Sequence, residues 1–168
     1  MPSATVTAFA ANTGDADDRA GAVAAVVEQG GGIHILVNNT GIAPLAGPLM
    51  DADLGAYRKT FDTNVVAALG FVQEAYRAGM KDTGGSVVNI SSVAGLRSTG
   101  GVIAAYGTSK AALIRLTAEL AWELGAEHPG ERDRARDRAH QVRLRTDRGR
   151  ERGLGRRGVS DEAASANP

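Results

Sequence analysis

A chain of 168 residues with 43% apolar residues holds material for one folded domain, and it contains no apolar run long enough to span a bilayer. Its 19 basic and 19 acidic residues cancel unevenly: residues 1–130 carry 8 Lys and Arg against 12 Asp and Glu, and residues 131–168 carry 11 Arg against 7 acids. Without cysteine there is no disulfide framework, and without a basic segment leading into an apolar core at the start there is no secretory signal, so the expected compartment is cytoplasmic.

Thr5 to Ala11 is a short, weak strand candidate. Asp15 to Gln29 reads as an alanine-rich helix with acids in its first turn, where the helix dipole favours them, and Gly30 to Gly32 stops it. Ile33 to Val37 is β-branched and nearly continuously apolar, which predicts a strand buried on both faces of a parallel sheet, with His34 as a filler within it. Asn38-Asn39-Thr40-Gly41 ends that strand. Asp51 to Met80 carries helical spacing through Leu54, Tyr57, Phe61, Val65, Leu69, Val72 and Tyr76, the length of a crossover helix. After Gly84-Gly85, Ser86 to Ile90 is a second buried-type strand, a Ser- and Gly-rich loop follows, and Ala104 to Leu124 is a strong helix. Strands alternating with long helices predict a parallel α/β sheet, and there is no internal repeat. The predicted domain is 1–125. Of the 38 residues from Glu131 onward only Val142, Leu144, Leu154 and Val159 are large and apolar, so 126–168 is expected to be a disordered Arg-rich tail.

Tyr106-Gly-Thr-Ser-Lys110 puts a phenol and an ammonium four residues apart, on one face of one helix. A free phenol titrates near pH 10, so acid/base work near pH 7 asks for roughly 4 kcal/mol of help. A positive charge about 4 Å away, at an effective dielectric near 20, supplies on the order of 4 kcal/mol. Lys110 is therefore placed to make Tyr106 a workable acid/base. Ser92 lies just past the second strand, at the carboxyl edge where open α/β sheets keep their ligand crevice, and a hydroxyl there can hold a substrate carbonyl. Asn64, a poor helix former inside the long helix, is a candidate anchor for a water that relays protons to Lys110. Asn38 and Gly41 close the first strand at the same edge, where a small residue admits a cofactor.

Each residue alone has a plain structural reading: Tyr-x-x-x-Lys as helix surface, Asn64 as a solvated helix residue, Ser91-Ser92 as a turn or cap. The three histidines, one in a strand and two in loop or tail, argue against a Ser-His-Asp hydrolase, and no metal-ligand spacing occurs.

Leu36-Val-Asn-Asn-Thr-Gly41, Asp62-Thr-Asn64-Val, Val88-Asn-Ile-Ser-Ser92-Val-Ala-Gly95 and Tyr106-Gly-Thr-Ser-Lys110, in this order, resemble the short-chain dehydrogenase/reductase family from about Val6 to Gly125, with Thr40 where the family usually has alanine. The resemblance implies a Rossmann-type doubly wound parallel sheet and an NAD- or NADP-dependent oxidoreductase. Its activity would be hydride transfer between the nicotinamide and a small-molecule carbonyl or secondary alcohol. By the same resemblance Asn64, Ser92, Tyr106 and Lys110 form a catalytic tetrad: Tyr106 exchanges the proton, Lys110 also holds the cofactor ribose, Ser92 orients the carbonyl and Asn64 completes the relay. Asn38 lies along the adenosine side, and intact relatives pair into homo-oligomers through the helices matching Asp51 to Met80 and Ala104 to Leu124.

The family opens with a strand and a glycine-rich turn feeding a helix N-terminus, which holds the pyrophosphate. Here Gly30-Gly31-Gly32 follows a helix and precedes a strand, so the sheet is expected to be partial, missing its first strands, the glycine-rich loop and the NAD/NADP-selecting position about 20 residues beyond it. The arginine-rich tail stands where the family continues with another strand, and permissible codons for Gly130 to His140 read one base later encode an apolar, strand-like stretch. A reading-frame slip after about residue 129 is thus expected. Nucleic-acid binding by the 11 tail arginines is disfavoured by 7 interspersed acids and the lack of aromatics, and no membrane partner is expected. Impaired activity is the expectation for this chain, the alternative being an inactive fragment that at most pairs with intact subunits.

Overall fold

The computed structural model describes residues 5–125. Helix α1, Ala16–Gly30, begins where Asp15 Oδ1 accepts from the N–H groups of Asp17 and Asp18 at 2.9 and 3.0 Å. It ends where Gly31, at φ 74°, takes the left-handed cap and donates to the Val27 carbonyl. Strand β1, Ile35–Asn38, pairs in parallel with β2, Ser86–Asn89, with Ile35 opposite Ser86 and Asn38 opposite Asn89. Between them runs a helical crossover: α2 Leu54–Phe61, capped by Asp53; a π-helical turn Asp62–Val66; α3 Ala67–Ala75; a kinked segment Tyr76–Met80, broken at Gly79 with φ 129°; and α4 Lys81–Thr83. A 3₁₀ turn, Val93–Gly95, follows β2, and α5, Ala104–Leu124, closes the described chain.

The core is small and built for close approach. Its buried apolar residues are Val23, Ala67, Ala68, Val72, Ala75, Ala105 and Leu113, and short side chains let α3 and α5 lie near the sheet. Arg19 lies across Gly70 of α3 and donates from Nη1 to the Thr13 carbonyl at 2.8 Å, tying the start of α1 to the crossover. Polar residues complete the interior as a chain of hydrogen bonds. Asn38 Nδ2 donates to the Ala68 carbonyl (3.3 Å) and to Asn89 Oδ1 (2.9 Å). Asn89 Nδ2 donates to Thr117 Oγ1 (2.9 Å), which donates to the Leu113 carbonyl (2.7 Å). A buried polar group costs little when so satisfied, and this chain joins α3, both strands and α5.

Three sequence expectations change. Thr5 to Ala11 is not a strand: these residues are exposed and no described strand lies beside them. Strand β1 is not buried on both faces, since helices cover the side of Leu36 and Asn38 while Ile35 and Val37 stand 68% and 55% exposed. An apolar run reports what a strand would prefer to bury, and a sheet of two described strands has cover for one side only. His34 precedes β1, its backbone carbonyl accepting from the Ser86 N–H. The expected α/β class and the partial, parallel sheet are what the structure shows. Residues 126–168, the expected tail with its frame slip, lie outside the described residues.

Candidate active site

Tyr106 and Lys110 sit in the first turns of α5, and the ammonium of Lys110 lies 5.7 Å from the centroid of the Tyr106 ring, so the four-residue spacing delivers the shared face. Lys110 is 3% exposed and donates to the Ile90 carbonyl at 2.9 Å. Gly41 is drawn close: a Cβ there would lie 3.3 Å from Lys110 Nζ and 3.6 Å from Asn64 Oδ1. The small residue after β1 thus leaves room for the lysine head.

Burial holds the Lys110 pKa below its ordinary 10.5, because desolvation disfavours the charged form. Between the folded value and 10.5 the unfolded chain binds more protons than the folded one, so this group makes stability rise with pH across that window, and the gain is lost as pH falls through the folded value. Lys110→Met is therefore expected to flatten the rise in thermal midpoint on the alkaline side. An identical slope in parent and variant would show that the ammonium is not desolvated.

Asn64 is 1% exposed in the π turn, and its carboxamide grips the chain just past β1: Oδ1 accepts from the Ile42 N–H (2.8 Å) and Nδ2 donates to the Ile42 carbonyl (2.9 Å). The second Nδ2 proton goes to Ser109 Oγ at 2.9 Å. Both donors are used, which leaves one lone pair of Oδ1 to anchor a water of the expected relay. Asn38 spends both Nδ2 protons on Ala68 and Asn89, inside the sheet–helix interface.

Ser92 caps the 3₁₀ turn, its Oγ accepting from the Ala94 N–H at 3.2 Å, so its own proton stays available to a substrate oxygen. That turn rests backbone-to-backbone on α5. A Cβ at Gly95 would lie 2.7 Å from the Lys110 carbonyl carbon, and one at Gly107 would lie 2.8 Å from the Ala94 carbonyl oxygen. The structure thus gathers Gly41, Asn64, Tyr106 and Lys110, with the Ser92 turn seated on the same helix. A groove on another face of α5, lined by Ala94, Leu96, Arg97, Thr99, Thr108 and Ala111, borders the Ser92 turn but contains none of those four residues.

Sequence reasoning missed Ser91, whose buried Oγ donates to the Lys110 carbonyl at 3.0 Å, and Ser109, which is fully buried between Asn64 and the Tyr106 carbonyl. Their position beside Ser92 and Lys110 was the available signal. Among the described residues no group of three or more metal-ligating side chains occurs, and no helix is long and apolar enough to cross a membrane.

Residues 2–128 match the family model of the short chain dehydrogenases. The chain is similar to dehydrogenase/reductase SDR family member 4 of Pongo abelii, 40% identical over 119 residues, which is 71% of this chain and 42% of that protein. It spans less than half the length of that curated relative. Among solved structures it is similar to NAD+-bound xylitol dehydrogenase, with TM-score 0.65 and 30% identity over 70% of this chain and 45% of that one. It is likewise similar to ElxO with NADP bound, with TM-score 0.63 and 29% identity over 68% of this chain and 46% of that one. The chain belongs to the short-chain dehydrogenase/reductase family.

Proposed function

We propose that the chain carries the catalytic half of an oxidoreductase moving a hydride between a nicotinamide cofactor, NAD or NADP, and a small-molecule carbonyl or secondary alcohol. The observation that carries this reading is the buried Lys110 ammonium set against Tyr106 on a helix that also seats the Ser92 turn.

A bound nicotinamide would supply or take up the hydride. In the reductive direction the Tyr106 hydroxyl gives its proton to the substrate oxygen while Ser92 Oγ donates a hydrogen bond to the same atom. Lys110 offsets the negative charge left on the phenol oxygen, and Asn64 anchors the proton supply behind it. The residues suit the ribose–nicotinamide end of such a cofactor: Lys110 uses one of its three ammonium protons on Ile90, leaving two for ribose hydroxyls, and no described residue bonds the Tyr106 hydroxyl. At the pyrophosphate end they do not: among the described residues no G-x-G-x-x-G turn joins a strand to a helix, and α1 opens with Asp15, Asp17 and Asp18, which repel a phosphate.

These residues by themselves are expected to hold the cofactor weakly, and titration of reduced-cofactor fluorescence tests it. Saturable binding of NADH or NADPH, weaker than micromolar, with residual turnover is the expected result. No saturation and no turnover would overturn the reading and leave a second one, an inactive chain that pairs with intact subunits. The open Ile35 and Val37 face favours this alternative, because exposed apolar surface is stabilised by covering it. Pairing of intact relatives through α2–α4 and α5 is part of the same proposal.

A further inference from the structure

Resting on the reading of the site given above, we propose that Ser109 is a positioning residue, which fixes the rotation of α5 so that Tyr106 and Lys110 face the crossover and the end of β1.

Its hydroxyl, fully buried, is used in both directions. It accepts from Asn64 Nδ2 at 2.9 Å and donates to the Tyr106 carbonyl at 2.7 Å. Asn64 is itself immobilised by its two bonds to the Ile42 backbone, across 22 residues of sequence. Ser109 therefore keys α5 to a point that is already rigid, the junction of the π turn with the chain leaving β1. Successive residues of a helix are about 100° apart around its axis, so holding residue 109 against Asn64 sets where residue 110 points. Lys110 then meets Gly41 and the Ile90 carbonyl, and one turn back Tyr106 presents its ring to the ammonium. Among the described neighbours of that ammonium, the Tyr106 phenol is the one ionisable side chain. Ser91 holds the same stretch from the other side by donating to the Lys110 carbonyl, but it grips the backbone and does not reach Asn64.

Removing the Ser109 hydroxyl leaves a buried Asn64 proton without an acceptor, which the structure relieves by letting the crossover and α5 part or turn. The ammonium then gains solvent, and the desolvation that holds its pKa down weakens.

The test is Ser109→Ala in the full chain, with Thr108→Ala, at the exposed neighbour, as control. The Lys110 titration is followed by the ¹³Cε shift of labelled lysine, alongside the pH profile and the KM and kcat of nicotinamide-dependent turnover. The expected result is an upward move of the Lys110 titration, a displaced pH profile, and kcat lower by roughly 10- to 100-fold with KM nearly kept, while Thr108→Ala matches the parent. A Ser109→Ala protein that folds and keeps the parent's Lys110 titration and pH profile would overturn the role. Should Ser109→Ala not fold, Ser109→Cys, with a weak acceptor of similar size, is read by the same criteria. A parent chain without turnover sinks the oxidoreductase reading alone, because the lysine titration still decides whether Ser109 positions α5.

Discussion

Tyr106→Phe is expected to lower carbonyl reduction by about 10²- to 10⁴-fold, the usual contribution of a positioned proton donor. The fold should survive, since no described residue hydrogen-bonds the hydroxyl and the phenyl ring keeps its place beside Lys110. Cofactor affinity should change little because the ammonium stays where it is. Parent and variant are compared by initial rates at saturating cofactor, with circular dichroism as the control for folding. A variant that turns over at the parent rate would mean that the proton comes from another group, and the assignment of the site would go with it.

Gly95→Ala is expected to destabilise the protein by about 1–3 kcal/mol or more, the range for overpacking a contact that cannot relax. The added carbon would meet the Lys110 carbonyl carbon at 2.7 Å, the Ala111 nitrogen at 2.8 Å and the Lys110 oxygen at 3.0 Å. All three are backbone atoms of α5, so no side chain can rotate out of the way. The 3₁₀ turn must lift instead, and it carries Ser92 with it. Turnover by the folded fraction should therefore fall as well. Gly21→Ala gives the contrast: it sits in α1 with nothing within 4 Å of the added carbon, and there alanine should stabilise by roughly 0.5–1 kcal/mol. Urea midpoints of the three proteins decide the matter. A Gly95→Ala midpoint equal to the parent's would show that turn and helix are not in contact.

What the sequence disclosed was mostly local. Tyr106 and Lys110 are one helical turn apart, so periodicity alone placed them together, and α5 runs from Ala104 to Leu124 as its pattern predicts. The two strands and the crossover were also legible, although the crossover begins at Leu54, after the Asp53 cap, and extends to Thr83. The breaks in its regularity were not, although the weak helix formers of Asp62–Val66 and the glycine at 79, which takes φ 129°, were the available signals. The partners of Asn64 were hidden for a different reason. Ile42 and Ser109 lie 22 and 45 residues away, and a hydrogen bond over that distance exists only once the chain has folded. Ser91 and Ser92 are chemically identical neighbours; only the structure shows one bonded to the Lys110 carbonyl and the other capping a turn. The exposure of Ile35 and Val37 depends on how many strands and helices surround β1, and no property of those residues carries that information.

The contact between the Asn38 and Asn89 carboxamides also decides how the two strands line up. With four residues in each and one wet side, apolar burial alone distinguishes poorly between one alignment and the next. Slippage of β2 by a single residue would swing Asn89 toward solvent, strip Thr117 of its donor and break the link between the strands and α5. The most polar spot in the sheet thus serves as its ruler, and Thr117 of α5 holds that ruler in place.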